Sequence, residues 1–180
     1  MPRKNKGFTL IELLIVVAII GILAVLLIPN VITAIQKAKQ KSTMKEIMSI
    51  ATAAADYVGE HGEWTFSQSG DISSSSDFVQ ALTPFYIRAC PVEDHWGEPF
   101  KVYLGSQATV RNIQIEDVGP DDFVIQSYGR DGNSDGWGYD PASSEDAFYT
   151  VDSWPKFRYD MVNWNGGWIR APKVAMPSGN

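Results

Sequence analysis

Lys6-Gly7-Phe8-Thr9-Leu10-Ile11-Glu12 stands directly before an apolar run that ends at Ile28-Pro29. Three features meet here: a basic head, an abrupt change to hydrocarbon side chains, and one carboxylate five residues after a glycine. From Phe8 to Ile28 every residue except Glu12 is uncharged. As a helix, a run of this size reaches roughly 30 Å, the thickness of a bilayer core. Arg3, Lys4 and Lys6 precede it with no acidic residue among them, a bias that keeps the first residues in the cytoplasm and sends the remainder outward.

A secretory signal has an apolar core of about 7–15 residues followed by a small-residue cleavage site. This run is longer and continues past Pro29 as amphipathic helix, so cleavage behind it is disfavoured and a plain amino-terminal anchor is the simplest reading. Glu12 argues against a plain anchor, because a carboxylate in a lipid-facing helix carries an insertion cost. Cutting after Gly7 would free an amine on Phe8, a suitable partner for Glu12 of a neighbouring copy. At an effective dielectric near 20 such a pair is worth about 4 kcal/mol before desolvation, enough to bias register but not to drive assembly. Gly21 and Pro29 mark the segment between them as the place where the helix either bends or locally melts, or else stays intact with a slight kink.

Beyond Pro29, Val31, Ile35, Ala38, Met44, Ile47, Ala51, Ala54 and Val58 recur at steps that form one apolar stripe, and the helix is expected to stop near Gly59. Lys37, Lys39, Lys41 and Lys45 cluster just past the apolar run, suited to solvation and to lipid head groups. From Ser42 to Asn180 there are 9 basic and 20 acidic side chains, a net charge of −11, so no nucleic acid is expected as a partner.

Ser67 to Asp77 reads as a surface loop, and Phe78, Val79, Leu82 and Phe85 as a short helix or turn. Strands are predicted at Phe100–Leu104 and Phe123–Ser127, with Val110–Ile115 as a further candidate. The fold class is α+β: a long N-terminal helix whose distal half packs against a small antiparallel β-sheet, since neither apolar face is stable in water alone. The expected segments are a leader at 1–7, a transmembrane helix at 8–29, its amphipathic continuation at 30–59 and an extracytoplasmic domain at 60–180.

Asp131-Gly132-Asn133-Ser134-Asp135-Gly136 places oxygen ligands at relative positions 1, 3 and 5 with glycine at 6, the opening of a calcium loop. Position 12 of an EF-hand would be Ala142, so the remaining ligands would come from backbone carbonyls, Asp140, Glu145, Asp146 or water. A polar β-turn without an ion is the alternative. Cys90 is the single cysteine, which excludes an intrachain disulfide and a multi-cysteine metal site. It reads as a small buried hydrophobe, and neither His61 nor His95 lies in a nucleophile motif with it. No catalytic residue is assigned. Trp96 reads as a core plug, and the aromatic residues from Trp137 to Trp168 as packing within the domain, a subunit contact or a carbohydrate surface.

Gly7-Phe8-Thr9-Leu10-Ile11-Glu12 resembles the processing site of type IV pilins and of the pseudopilins of type II secretion. That resemblance implies a prepilin peptidase that removes residues 1 to 7 and methylates Phe8, with Glu12 matching the family's glutamate at the fifth mature position. The Tyr57 to Trp64 stretch, Cys90 to Phe100 and Ser127-Tyr128-Gly129-Arg130-Asp131-Gly132 are similar to segments of the major pseudopilin. By the same likeness the distal loop would hold a structural calcium through Asp131, Asn133, Asp135 and Asp140. Two departures stand out: His95 where the family has proline, and a tail from Gly138 that is longer and richer in tryptophan.

The resemblance implies a structural subunit of a type II secretion pseudopilus, anchored by a single pass in the inner membrane with its C-terminal domain in the periplasm. Implied partners are further copies in a homo-oligomeric filament, other pilin-like subunits, the prepilin peptidase, an inner-membrane assembly platform with its ATPase, and membrane lipid. A type IV pilin for adhesion, motility or DNA uptake is the second reading, and a membrane-anchored enzyme the third.

Overall fold

A computed structural model describes residues 7–109, 115, 118–140 and 147–173. Most of the expected leader, most of the candidate strand Val110–Ile115, and Glu145 and Asp146 lie outside the described residues. The chain divides into two compact units, with the boundary between Lys37 and Ala38.

Helix α1 runs without interruption from Leu10 to His61. Pro29 lies inside it, and nearby polar side chains turn back onto the backbone: the Asn30 amide donates to the Leu26 carbonyl at 3.3 Å and the Thr33 hydroxyl to the Pro29 carbonyl at 3.0 Å. Of the two states expected around Gly21 and Pro29, this is the continuous one. The helix ends later than the sequence reading placed it. Gly59 stays helical, and it is Gly62, with φ +83°, that reverses the chain while its N–H donates to the Val58 carbonyl at 2.7 Å. A left-handed terminator fits glycine there because no Cβ meets the carbonyl.

In the first unit the large apolar side chains from Leu10 to Ile28 are 44–86% exposed. Its length and composition suit a membrane span. In the second unit the helix buries Gln40, Thr43, Ile47, Ile50, Ala51, Ala53, Ala54 and Tyr57, one face at helical spacing. Ile47, Ala51 and Ala54 fall where the stripe predicts, whereas Val31 and Ile35 are exposed.

The sheet has six strands in the order β1-β2-β3-β5-β6-β4: β1 (Ser69–Asp71), β2 (Lys101–Leu104), β3 (Phe123–Ser127), β4 (Phe148–Tyr149), β5 (Met161–Trp164) and β6 (Gly167–Pro172). All pairings are antiparallel except the short parallel contact of β4 with β6. Helix α2 (Asp77–Leu82) buries Phe78, Val79 and Leu82 beside α1. Strand side chains alternate between two cores. Val102, Leu104, Phe123, Ile125 and Met161 pack with Ile47, Ile50 and Ala54 of α1, whereas Tyr103, Val124 and Val162 face the other way.

That second face is what the tail covers. Trp137, Tyr139, Trp164 and Ile169 pack over Tyr103, Val124 and Val162, and Trp168 packs with the α1 core. One expectation is corrected. Part of the Ser67–Asp77 loop is strand β1, whose polar Ser-Gly-Asp sequence carries no apolar alternation but pairs with Lys101–Tyr103. The tail also supplies half of the sheet, with β5 paired to β3 in its middle.

Candidate functional site

The amino-terminal segment is built on a reciprocal cap. The Thr9 backbone N–H and hydroxyl both donate to Glu12 Oε2, at 2.8 and 2.6 Å, while the Glu12 N–H donates to the Thr9 hydroxyl at 3.3 Å. This is the capping-box pattern, Thr-x-x-Glu, and it starts α1 one residue after Thr9. The Thr-x-x-Glu spacing is present in the sequence, and this local role for Glu12 stands beside the expected intersubunit one. Gly7 and Phe8 precede the cap, both exposed, with Phe8 at 78%, and among the described residues nothing beyond its chain neighbours comes within 4 Å of where a Cβ on Gly7 would stand. The bond between them is accessible.

The loop Cys90–Phe100 is organised by Asp94, which is only 6% exposed. Its Oδ1 accepts from the N–H groups of Trp96 at 2.8 Å and Glu98 at 3.1 Å, and its Oδ2 accepts from the Ser127 hydroxyl at 2.7 Å. A buried carboxylate is tolerated when donors surround it, so this aspartate serves as a fold hub. His95 adds a clasp to α1: its N–H donates to the Thr43 hydroxyl at 3.2 Å and its Nε2 lies 3.1 Å from Glu46 Oε1. Burial is the main cause that raises the Glu46 pKa, with the adjacent His95 opposing it. Burial also pushes the Cys90 thiol up to about 11, and with His95 engaged by Glu46 there is no activated thiolate at this loop.

The distal loop places Asp131, Asn133, Asp135 and Asp140 differently from a converging ligand set. The Asn133 N–H donates to Asp131 Oδ1 at 3.4 Å and its side-chain amide to the Asp131 carbonyl at 2.7 Å, an Asx-type turn. Asp131 Oδ2 lies 3.8 Å from Arg158 Nε. Both oxygens of Asp135 receive the Arg170 guanidinium, Nη1 donating to Oδ1 at 2.9 Å and Nη2 to Oδ2. Asp140 is exposed.

A residue the sequence reading did not single out completes the cluster. Asp160, 1% exposed, accepts from Gln126 at 3.1 Å and Ser134 at 3.3 Å through Oδ2, and its N–H donates to Asp135 Oδ2 at 3.4 Å. Burial first, and then the Asp135 charge, push its pKa up to about 7. The signal for it was faint, a lone aspartate ahead of Met161-Val162. Among the described residues, Asp160 Oδ1 and Arg170 Nε are buried without hydrogen-bond partners. Among the described residues no group of three His, Cys, Asp or Glu side chains is arranged to hold a metal ion. Arranged this way, the residues do not fit calcium as a ligand set, because the central carboxylate is already committed to a guanidinium.

Comparison with known proteins places the chain in context. Residues 2–28 match the family described as the prokaryotic N-terminal methylation motif. The type II secretion system core protein G of Pseudomonas aeruginosa is 31% identical over 74% of this chain and 91% of its own length. The core protein G of Aeromonas hydrophila is 29% identical over 58% of this chain and 77% of its length. The type IV major pilin protein PilA of Myxococcus xanthus is 44% identical, but over 34% of this chain and 28% of its own length. No solved structure matches the chain.

Proposed function

Because the chain belongs to the pilin-like family that includes the type II secretion pseudopilins, and is a structural subunit of that kind, we propose that it builds a secretion pseudopilus. The observation that carries this reading is where the likeness extends. Core protein G of Pseudomonas aeruginosa is matched over 91% of its length, whereas the type IV pilins are matched over less of theirs, from 28% for the Myxococcus xanthus PilA to 65% for the Thermus thermophilus PilA4. The outer domain, not the shared helix, is what distinguishes one assembly from another.

In this reading a prepilin peptidase cuts after Gly7 and methylates Phe8, consistent with the exposed bond and the matched methylation motif. The segment from Leu10 to Ile28 resides in the inner membrane until assembly, when other copies replace lipid around it. The unit from Ala38 onward is periplasmic. An inner-membrane platform and its ATPase supply the work of assembly, and the subunit supplies a filament surface that moves toward the outer membrane.

Deleting the gene in its native cell tests the proposal. Loss of extracellular hydrolases with surface motility and DNA uptake intact is the expected result, restored by the parent chain. Loss of motility or DNA uptake with secretion intact would assign the chain to a type IV pilus instead.

A further inference from the structure

The distal acidic loop presents a problem of charge that the chain solves from within. Asp135 and Asp160 sit against each other, with the Asp160 N–H donating to an Asp135 oxygen; Asp160 is 1% exposed and the Asp135 side chain keeps 19% of its surface in solvent. Carboxylates gathered in a desolvated place need a cation. The sequence spacing suggests a metal. The geometry supplies something else.

We propose that Arg170, carried by strand β6 of the tail, is a resident cation that locks the distal loop through Asp135, so that the loop closes without a bound metal ion. The pair is bidentate, with each guanidinium Nη facing one Asp135 oxygen, an arrangement a planar fork makes and a point charge cannot. The Arg170 side chain is 6% exposed and that of Asp135 is 19%. Three rings wall the guanidinium in, those of Trp137 at 4.9 Å, Tyr159 at 5.3 Å and Tyr149 at 5.9 Å. Aromatic faces stabilise a desolvated cation and keep out the water that a metal ion would bring as ligands.

The device also accounts for the position of the tail. Arg170 pairs in register with Val162 on β5, and β5 pairs with β3, so the sheet fixes the guanidinium at the loop. Tyr149 comes from β4, which runs parallel to β6 through Phe148↔Ala171. Loop, hairpin and short parallel strand therefore converge on one cation. A calcium ion at Asp135 would have to displace the guanidinium from its bidentate partner, leaving the half-neutralised Asp160 as the nearby anion. The proposal concerns the domain alone and holds whether the filament is a pseudopilus or a pilus, so its failure is separable from failure of the assembly reading.

The test uses the full chain in detergent micelles. Radioactive calcium is titrated by equilibrium dialysis, and melting is followed by tryptophan fluorescence in excess chelator and in millimolar calcium chloride. The parent is expected to bind no stoichiometric calcium and to melt within about 1 °C in the two conditions, since a saturating specific ligand would shift it by several degrees. Arg170→Gln is expected to melt about 5–10 °C lower than the parent, the consequence of leaving the buried Asp160 and its neighbour Asp135 without their counterion. Asp135→Asn should fall similarly, and the double variant little further, because the two side chains act as one unit. One calcium bound per parent chain, or a parent melting shift of several degrees, overturns the proposal. So does an Arg170→Gln chain that melts with the parent. Should Arg170→Gln fail to fold, Arg170→Lys retains the charge without the fork: an intermediate melting point supports the bidentate lock, and one equal to the parent overturns it.

Discussion

Glu12 has one observed role and one proposed role, which a single substitution confounds. Within its own chain it caps α1 by accepting twice from Thr9, and in the proposed filament it would meet the amine on Phe8 of a neighbouring copy. Thr9→Ala removes the cap and leaves the charge, so it should cost about 1 kcal/mol of helix-end stability while filament yield is largely kept. Glu12→Ala removes both, and recovery of sheared filaments should drop at least tenfold with the outer domain folded by circular dichroism. Equal losses for the two variants would assign the whole effect to the cap, and equal filament yield for Glu12→Ala and the parent would end the pairing idea. Gly7 gives a cleaner case. Its exposed bond to Phe8 precedes the cap, so Gly7→Trp should leave processing blocked, and intact mass from membranes containing the peptidase should read from Met1 in the variant and from Phe8 in the parent. A parent mass that still includes residues 1 to 7 would defeat the processing site.

Elements were legible where their physics was local. Strand β3 coincides with the predicted Phe123–Ser127 and β2 begins one residue inside Phe100–Leu104, because runs of β-branched and aromatic residues between turn residues carry their own signal. The tail strands were hidden by polar residues serving buried roles: Asn163 is fully buried, its amide 3.5 Å from Met48 Sδ and its Oδ1 accepting from the Gly166 N–H at 3.0 Å, and Arg170 is the internal cation. A signal was present all the same. Asn165-Gly166, with φ of 48° and 82°, is a two-residue hairpin connection between Trp164 and Gly167, and both residues adopt the left-handed region that this pair favours. Of the candidate site, Gly7, Phe8 and Glu12 could be named from the sequence, whereas the partner of Asp135 could not, since Arg170 lies 35 residues away and reaches it only through sheet register. Because β5 pairs with β3, the tail belongs to the core. A chain stopped after Asp160 should therefore lose Met161 and Val162 from the two cores and unpair an inner edge of β3. Limited proteolysis is expected to degrade it throughout the domain within the time that leaves the parent intact; a resistant domain of residues 38–160 would show the tail to be an accessory.

At the scale of the whole molecule, the chain carries more apolar surface than a soluble monomer tolerates. Leu10, Ile11, Leu13, Leu14, Ile22 and Leu26 are each more than half exposed, and only lipid or further copies can cover such a face. The switch between these two environments is the step at which assembly either happens or does not. It can be read by disulfide trapping, since the natural background is low: Cys90 is partly buried, and its thiol is pushed up to about 11, so at pH 8 about one thiol in a thousand is ionised. A cysteine placed at Leu23, a site 52% exposed in the apolar segment, should cross-link to a second copy under mild oxidation in membranes that contain the assembly machinery. The same placement combined with Glu12→Ala should cross-link several-fold less, because copies that merely diffuse in lipid meet without a fixed register. The parent, carrying Cys90 alone, should stay monomeric on a non-reducing gel. Undiminished cross-linking in the Glu12→Ala background would mean that the helices associate through apolar packing by themselves, with the carboxylate confined to capping its own chain.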